Sequence, residues 1–306
     1  TIELFIEQLL NGLQFGFMLF LMSAGLTLIF GVMGLINLAH GSFYMIGAFS
    51  AAATSAVFGL FWISLLASLI FASLAGVIVE LLVIRRLYDR DHLDQVLATF
   101  ALILLFSESV RWIFGAYPLY LDVPDILSGS MQIMWGIYYS KYRLFIILIG
   151  LLLAIFLFLL IRKTNLGVQI RAGQYDREMI SALGVDISKL YTFLFGVGAA
   201  LAGLAGALVG TIQSVEVGMG EPVLILAFVV IVIGGIGSIK GALVASLVVG
   251  CVDTMGRFLV PWLLTNFTDP STAMSIGSAI ASMLIYVLMA IVLIVRPTGL
   301  FGKGLA

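Results

Sequence analysis

Few side chains in this 306-residue chain could do chemistry, and those few stand far apart. There are two histidines. His92 ends a charged run, Arg85-Arg86-Leu87-Tyr88-Asp89-Arg90-Asp91-His92, which reads as a solvated face. His40 stands alone in Asn37-Leu38-Ala39-His40-Gly41-Ser42, with no carboxylate within a helical turn. No His/Cys/Asp/Glu group has metal-ligand spacing, and no Walker A pattern is present, so neither a metal-assisted reaction nor ATP hydrolysis is supported. Glu108 and Arg111 are three residues apart, and Asp253 and Arg257 four apart. On a helix each pair neutralises itself. A proton- or sodium-coupled carrier would instead show an unpaired acid in mid-span. The one cysteine, Cys251, has no partner for an internal disulfide.

The elements that hold these residues are set by composition. Hydrophobic residues make up 62% of the chain and charged residues 10%. A soluble domain carries about 25% charged residues, so lipid must be the solvent for most of this surface. A spanning helix needs about 20 apolar residues. Nine such runs are expected, at 8–31, 41–58, 60–84, 93–114, 143–162, 190–213, 222–239, 242–262 and 274–295. They are continuous rather than alternating, which excludes a barrel. The first residues, Thr1 to Gln8, carry Glu3 and Glu7 and no Lys or Arg, unlike a cleavable signal.

Orientation follows from the basic residues. With nine spans, one face receives Arg85, Arg86, Arg90, Arg162, Lys163, Arg171, Arg177, Lys189, Lys240, Arg296 and Lys303. The other receives only Arg111, Lys141, Arg143 and Arg257. The N-terminus is therefore expected outside and the C-terminus in the cytoplasm. Spans 1–4 then begin outside and spans 6–9 inside, the parity of an inverted-topology repeat arranged 4+1+4. This predicts one transmembrane domain over 1–306. Its parts are a first half with its outer loop (1–142), a connector helix (143–162), a cytoplasmic loop (163–189) and a second half (190–306).

Two interruptions point to a path. Gly31 to Ser42 is too apolar for an aqueous loop and too rich in Gly, Asn and His for a helix interior. Chain that leaves the helix inside a membrane must be buried in protein or line a cavity. Gln213 to Glu221 is its counterpart in the second half. The expected pathway residues are Asn37, His40, Gly41, Ser42, Gly218 and Gly220. Gly198, Ala202, Gly206 and Gly210 form a small-residue ladder that reads as close helix packing. The 165–184 stretch reads as one amphipathic helix. Ile170, Ala172, Met179, Ile180 and Leu183 form its apolar side, Arg171, Asp176, Arg177 and Glu178 its polar side, and Gly184 its cap. Between spans 4 and 5, Asp122, Asp125, Tyr117, Tyr120 and Trp135 suit a transient docking surface.

The motifs Gly25-Leu26-Thr27-Leu28-Ile29-Phe30-Gly31-Val32-Met33 and Asn37-Leu38-Ala39-His40-Gly41 resemble the first-half signature of branched-chain amino-acid ABC permeases. Gly167…Arg171-Ala172…Asp176…Ala182-Leu183-Gly184-Val185-Asp186 is similar to their ATPase-coupling segment, and Gly234 to Ala242 and Arg296-Pro297-Thr298-Gly299-Leu300 also match in order. Lys240 departs from the small or apolar residue or proline expected there. The short N-terminus resembles the H-type subunit. The resemblance implies a non-enzymatic permease of a bacterial cytoplasmic membrane that imports hydrophobic amino acids. Relatives for urea, short amides or aromatic acids, and an ion-coupled carrier, are the alternatives. It implies an M-type permease partner, two ATPase subunits that bind the ATP and Mg, and a soluble binding protein, with no nucleic acid and no cofactor in this chain. It assigns ATPase coupling to Gly167, Arg171, Ala172, Asp176, Glu178 and Gly184.

Overall fold

The computed structural model describes residues 2–134 and 136–302, so Trp135 and Lys303 lie outside the described residues. Among the described residues eight helices are long and apolar enough to cross a membrane: α1 (Ile2–Met33), α2 (His40–Phe58), α3 (Phe61–Leu82, continued by a 3-10 turn to Arg86), α4 (His92–Phe114), α5 (Lys141–Lys163), α8 (Ile187–Val209), α10 (Ile239–Leu264) and α11 (Pro270–Val295). A ninth apolar helix, α9 (Gly220–Gly234), has 15 residues, about 22 Å, too short for a hydrocarbon core of about 30 Å. Each expected span has its helix, and the chain is an all-α polytopic membrane protein.

Boundaries differ where glycine or a polar end decides them. α1 starts six residues before position 8, its first turn carrying Glu3, an acid favoured at a helix N-terminus. α9 stops at Gly234 rather than 239, because Gly235 and Gly237 have φ of 99° and 78° and turn the chain. α8 stops at Val209 rather than 213. Between α4 and α5 lies an unexpected antiparallel hairpin, β1 (Ser130–Met134) and β2 (Ile137–Ser140).

The 165–184 stretch is two helices, α6 (Asn165–Tyr175) and α7 (Arg177–Ala182). Asp176 is extended (φ −151°) and its carboxylate accepts from the Met179 N–H at 2.9 Å, capping α7 and breaking the single helix. This corrects the apolar face. Ile170 and Ile180 are buried, whereas Met179 and Leu183 are turned outward, 59% and 76% exposed. Gly184 has φ 89°; its N–H donates to Ser181 and that of Val185 to Ile180, the two bonds of a Schellman cap.

The packing of the halves is reciprocal. The two most extensive helix pairs are α1 with α10 and α3 with α8. These exchange with one another when the first four spans are laid on the last four. Both are antiparallel: Gly12 meets Cys251 and Gly16 meets Leu247, while Ala72 meets Gly203 and Gly76 meets Ala199. Burial follows the same correspondence, at 83% and 78% for the apolar stretches of α1 and α8, 39% and 33% for α3 and α10, and 22% and 11% for α4 and α11. The self-equivalent pair α1 and α8 sits at the centre, where a Cβ on Gly25 would come within 2.5 Å of the Gly198 carbonyl oxygen. Small residues let these backbones approach in the absence of a hydrophobic drive between helices. The symmetry fails at the edge: α11 packs on α10, but α4 stands away from α3. The basic 83–91 segment intervenes there, against a short 265–269 turn.

Candidate functional site

The site grows from the way α1 ends. Gly34, with φ 64°, closes the helix by donating to the Phe30 carbonyl. Residues 34–37 then run without helix, and Leu35, Asn37 and Ala39 are buried. Such a stretch must satisfy its polar groups inside the protein, and it does so in part. The Asn37 Oδ1 accepts from the Ala39 N–H at 3.0 Å. Among the described residues the Asn37 Nδ2 has no hydrogen-bond partner, and the His40 ring has none but the Met22 backbone, although both side chains are fully buried. His40 meets the Phe43 ring edge-on at 5.9 Å, and Phe43 meets Phe195 at 6.1 Å and Phe106 at 6.3 Å. The imidazole is thus held in aromatic surroundings.

The second interruption is built differently. The Leu119 and Val215 backbones form an isolated antiparallel bridge, with bonds of 3.0 and 2.8 Å, tying it to the α4–α5 loop. Glu216 is exposed, and Gly218 turns at φ 86° with its N–H against the Met45 sulfur at 3.3 Å. α2 and α9 both start without a side-chain cap. Their first turns meet: a Cβ on Gly41 would lie 2.7 Å from the Gly220 carbonyl oxygen, and one on Gly220 would overlap the Gly41 carbonyl. Of the six expected pathway residues, Gly41 and Gly220 are brought into direct contact. Two positive helix ends converge there.

Cavities lie toward either end of the bundle. At the hairpin end one of about 400 Å³ is lined by Asn11, Gln14, Tyr44, Arg143 and Gln213, among others. Burial pushes the Tyr139 phenol up to about 12, so it stays protonated and donates to Asn11 Oδ1 at 3.0 Å, beside the Arg143 guanidinium at 2.5 Å. At the opposite end a larger one, about 640 Å³, lies against α6.

The expected coupling residues divide by role. Thr164 caps α6 by accepting from the Gly167 N–H, and a Cβ on Gly167 would overlap the Ile161 carbonyl at the end of α5. Arg171 donates to that same carbonyl. Asp176 and Gly184 cap, Ala172 is half-buried, and Glu178 is exposed. Two neighbours missed by sequence reasoning carry the connection to the break. Arg177 donates to the Met33 carbonyl at 3.1 Å, and Gln174 to the Gly237 carbonyl at 3.3 Å. Arg177 reads from sequence as one more polar-face cation, and nothing local marks its partner 144 residues away.

Glu80 is likewise not singled out by its sequence neighbourhood. It is fully buried near the end of α3, where it accepts from Arg85 through both oxygens at 3.2 Å, from Tyr88 at 2.6 Å and from Thr192 of α8 at 2.7 Å. A buried carboxylate this fully bonded is a structural tie. Asp253, the other buried acid, is held by Arg257. Among the described residues no group of three or more His, Cys, Asp or Glu could hold a metal.

A family model described as the permease component of branched-chain amino acid transport systems matches residues 8–294. Among curated proteins, the chain is 30% identical to the Pseudomonas aeruginosa high-affinity branched-chain amino acid transport system permease protein BraD. That match covers 98% of this chain and 96% of the relative. It is 28% identical to the Salmonella typhimurium permease protein LivH over the same shares. It is 27% identical to the Escherichia coli permease protein LivM over 92% of this chain and 67% of the relative. No solved structure matches it.

Proposed function

The chain belongs to the branched-chain amino acid transport permease family, and from that premise we propose that it passes branched-chain or other hydrophobic amino acids through a bacterial cytoplasmic membrane as one permease subunit of an ABC importer. It is a transport protein rather than an enzyme. The observation that carries the ABC reading is the α6–α7 elbow. Its inner side grips Met33 and Gly237, and its outer side offers Met179 and Leu183 to a partner. An ATPase seated on Leu183 pulls on the end of α1 through Arg177, and so on the first break. Both buried acids, Glu80 and Asp253, are paired, which speaks against an ion-coupled carrier.

The positive-inside rule places this elbow in the cytoplasm and the hairpin end outside. The exposed Tyr117, Tyr120, Asp122 and Asp125 then face a soluble binding protein. The likeness to LivM as well as to LivH and BraD fits a pair of homologous permease subunits, with an M-type partner beside this chain. Two ATPase subunits supply hydrolysis, and they bind the ATP and Mg.

The test is reconstitution with the partner subunits in liposomes. Leu183→Asp is expected to lower ATPase co-purification at least tenfold. Arg177→Ala is expected to leave the complex assembled and hydrolysing ATP while uptake falls about tenfold. Uptake by the permease pair without ATPases would overturn the reading.

A further inference from the structure

The larger cavity lies among α1, α5, α6, the α9–α10 turn and the end of α11. Its charged lining is Arg162, Arg171 and Lys240, and no Asp or Glu lines it. None of the three cations forms an ion pair among the described residues. Arg162 and Lys240 both approach one aromatic ring, that of Phe158, at 4.9 and 5.5 Å. All three are exposed and Arg171 also donates to the Ile161 carbonyl, so a cavity with three cations and no acid among its lining residues favours an anion. The rest of the wall is largely apolar, with Leu28, Ile161, Val232 and Leu293. Phe158 lies on α5, whose apolar stretch is only 22% buried, so the cavity borders the surface that faces acyl chains.

These features select among anions. A zwitterionic amino acid has an ammonium for which the cavity holds no carboxylate. A free phosphate would leave the apolar wall wet, in a space of about 640 Å³. Basic pockets between helices at a membrane interface suit phosphate-bearing headgroups. We propose that this cavity binds an anionic phospholipid. Arg162, Arg171 and Lys240 hold its phosphate, and its first chain carbons lie on the apolar wall. The lipid then braces α6 against α5. Binding depends on the chain being a membrane protein and not on which solute it carries.

The test uses the intact permease in a neutral detergent, scored by thermal unfolding and by mass spectrometry of lipids retained after purification. Added phosphatidylglycerol is expected to raise the midpoint by several degrees, with phosphatidylcholine and inorganic phosphate at equal concentration without effect. Arg162→Ala/Lys240→Ala is expected to lose the shift and to retain at least fivefold less anionic lipid. Arg86→Ala, which removes an exposed charge outside the cavity, is expected to keep both. An equal response to phosphatidylcholine or to inorganic phosphate overturns the proposal. So does a double variant that responds like wild type, or an Arg86→Ala variant that loses the response.

Discussion

The break before α2 and the break before α9 end at one place, Gly41 against Gly220, but they reach it through different surroundings. The first runs through the interior and leaves Asn37 Nδ2 unbonded and His40 with no partner but the Met22 backbone among the described residues. A buried polar group left unbonded costs about 1–3 kcal/mol. The second lies nearer the surface, with Glu216 exposed and Val215 paired to Leu119. One break holds sparsely bonded buried polar groups and hangs from the elbow through Arg177 and Met33. The other is pinned to a loop. The first therefore has reason to move and the second to stay.

The largest expected effect comes from separating the two ends. Gly220→Val places carbon on the Gly41 carbonyl and should destabilise the protein by about 3 kcal/mol, with transport lost. Gly41→Val should be milder, since its Cβ would keep 2.7 Å from the nearest atom. Thermal unfolding of the two variants measures the order, and a wild-type midpoint for Gly220→Val would break the comparison at its root. Next is His40→Leu. Removing a fully buried imidazole whose one polar partner is the Met22 backbone should change stability by no more than about 1 kcal/mol. Maximal uptake should drop several-fold, with apparent affinity changed less than twofold, because the binding protein sets it. Liposome uptake with saturating binding protein reads both; a large affinity change at preserved maximal rate would make this break a substrate site. Val215→Pro deletes the N–H that bonds Leu119 and should cost about 1 kcal/mol. Hydrogen exchange should accelerate across 117–121 and stay unchanged across 35–40. The smallest effect is expected of Glu216→Gln, within about 0.5 kcal/mol and without change in uptake. A loss comparable to that of His40→Leu would mean that the two breaks are not so different.

Much of this was legible in the chain because lipid makes the local signal strong. The nine apolar runs, the Gly184 cap and the Gly198–Gly210 ladder follow from hydropathy and glycine alone. The ladder packs as expected, Gly198 on Gly25 and Gly206 under Tyr44, with Gly203 added between. What sequence could not supply depends on partners far along the chain. Arg177 on Met33, Glu80 on Thr192 and Gly41 on Gly220 have no signature within their own neighbourhoods. The Asp176 break was hidden because an acid mid-helix and an acid cap look alike until the backbone is seen. The hairpin was hidden because its strands have only five and four residues.

The reciprocal packing of α1 with α10 and α3 with α8 also sets a timetable. α1 leaves the ribosome well before α10, so Gly12 has to wait for Cys251. At about 5–20 residues per second, that wait is on the order of ten seconds or more. Through that interval the glycine face of α1 lies in the bilayer with its main cross-half partner unmade, whereas α3 meets α8 earlier. A ribosome stalled before α8 would leave α1 inserted without α10 or α8, the two helices on which it packs most. The packing of α1 is thus completed only once the second half has been made.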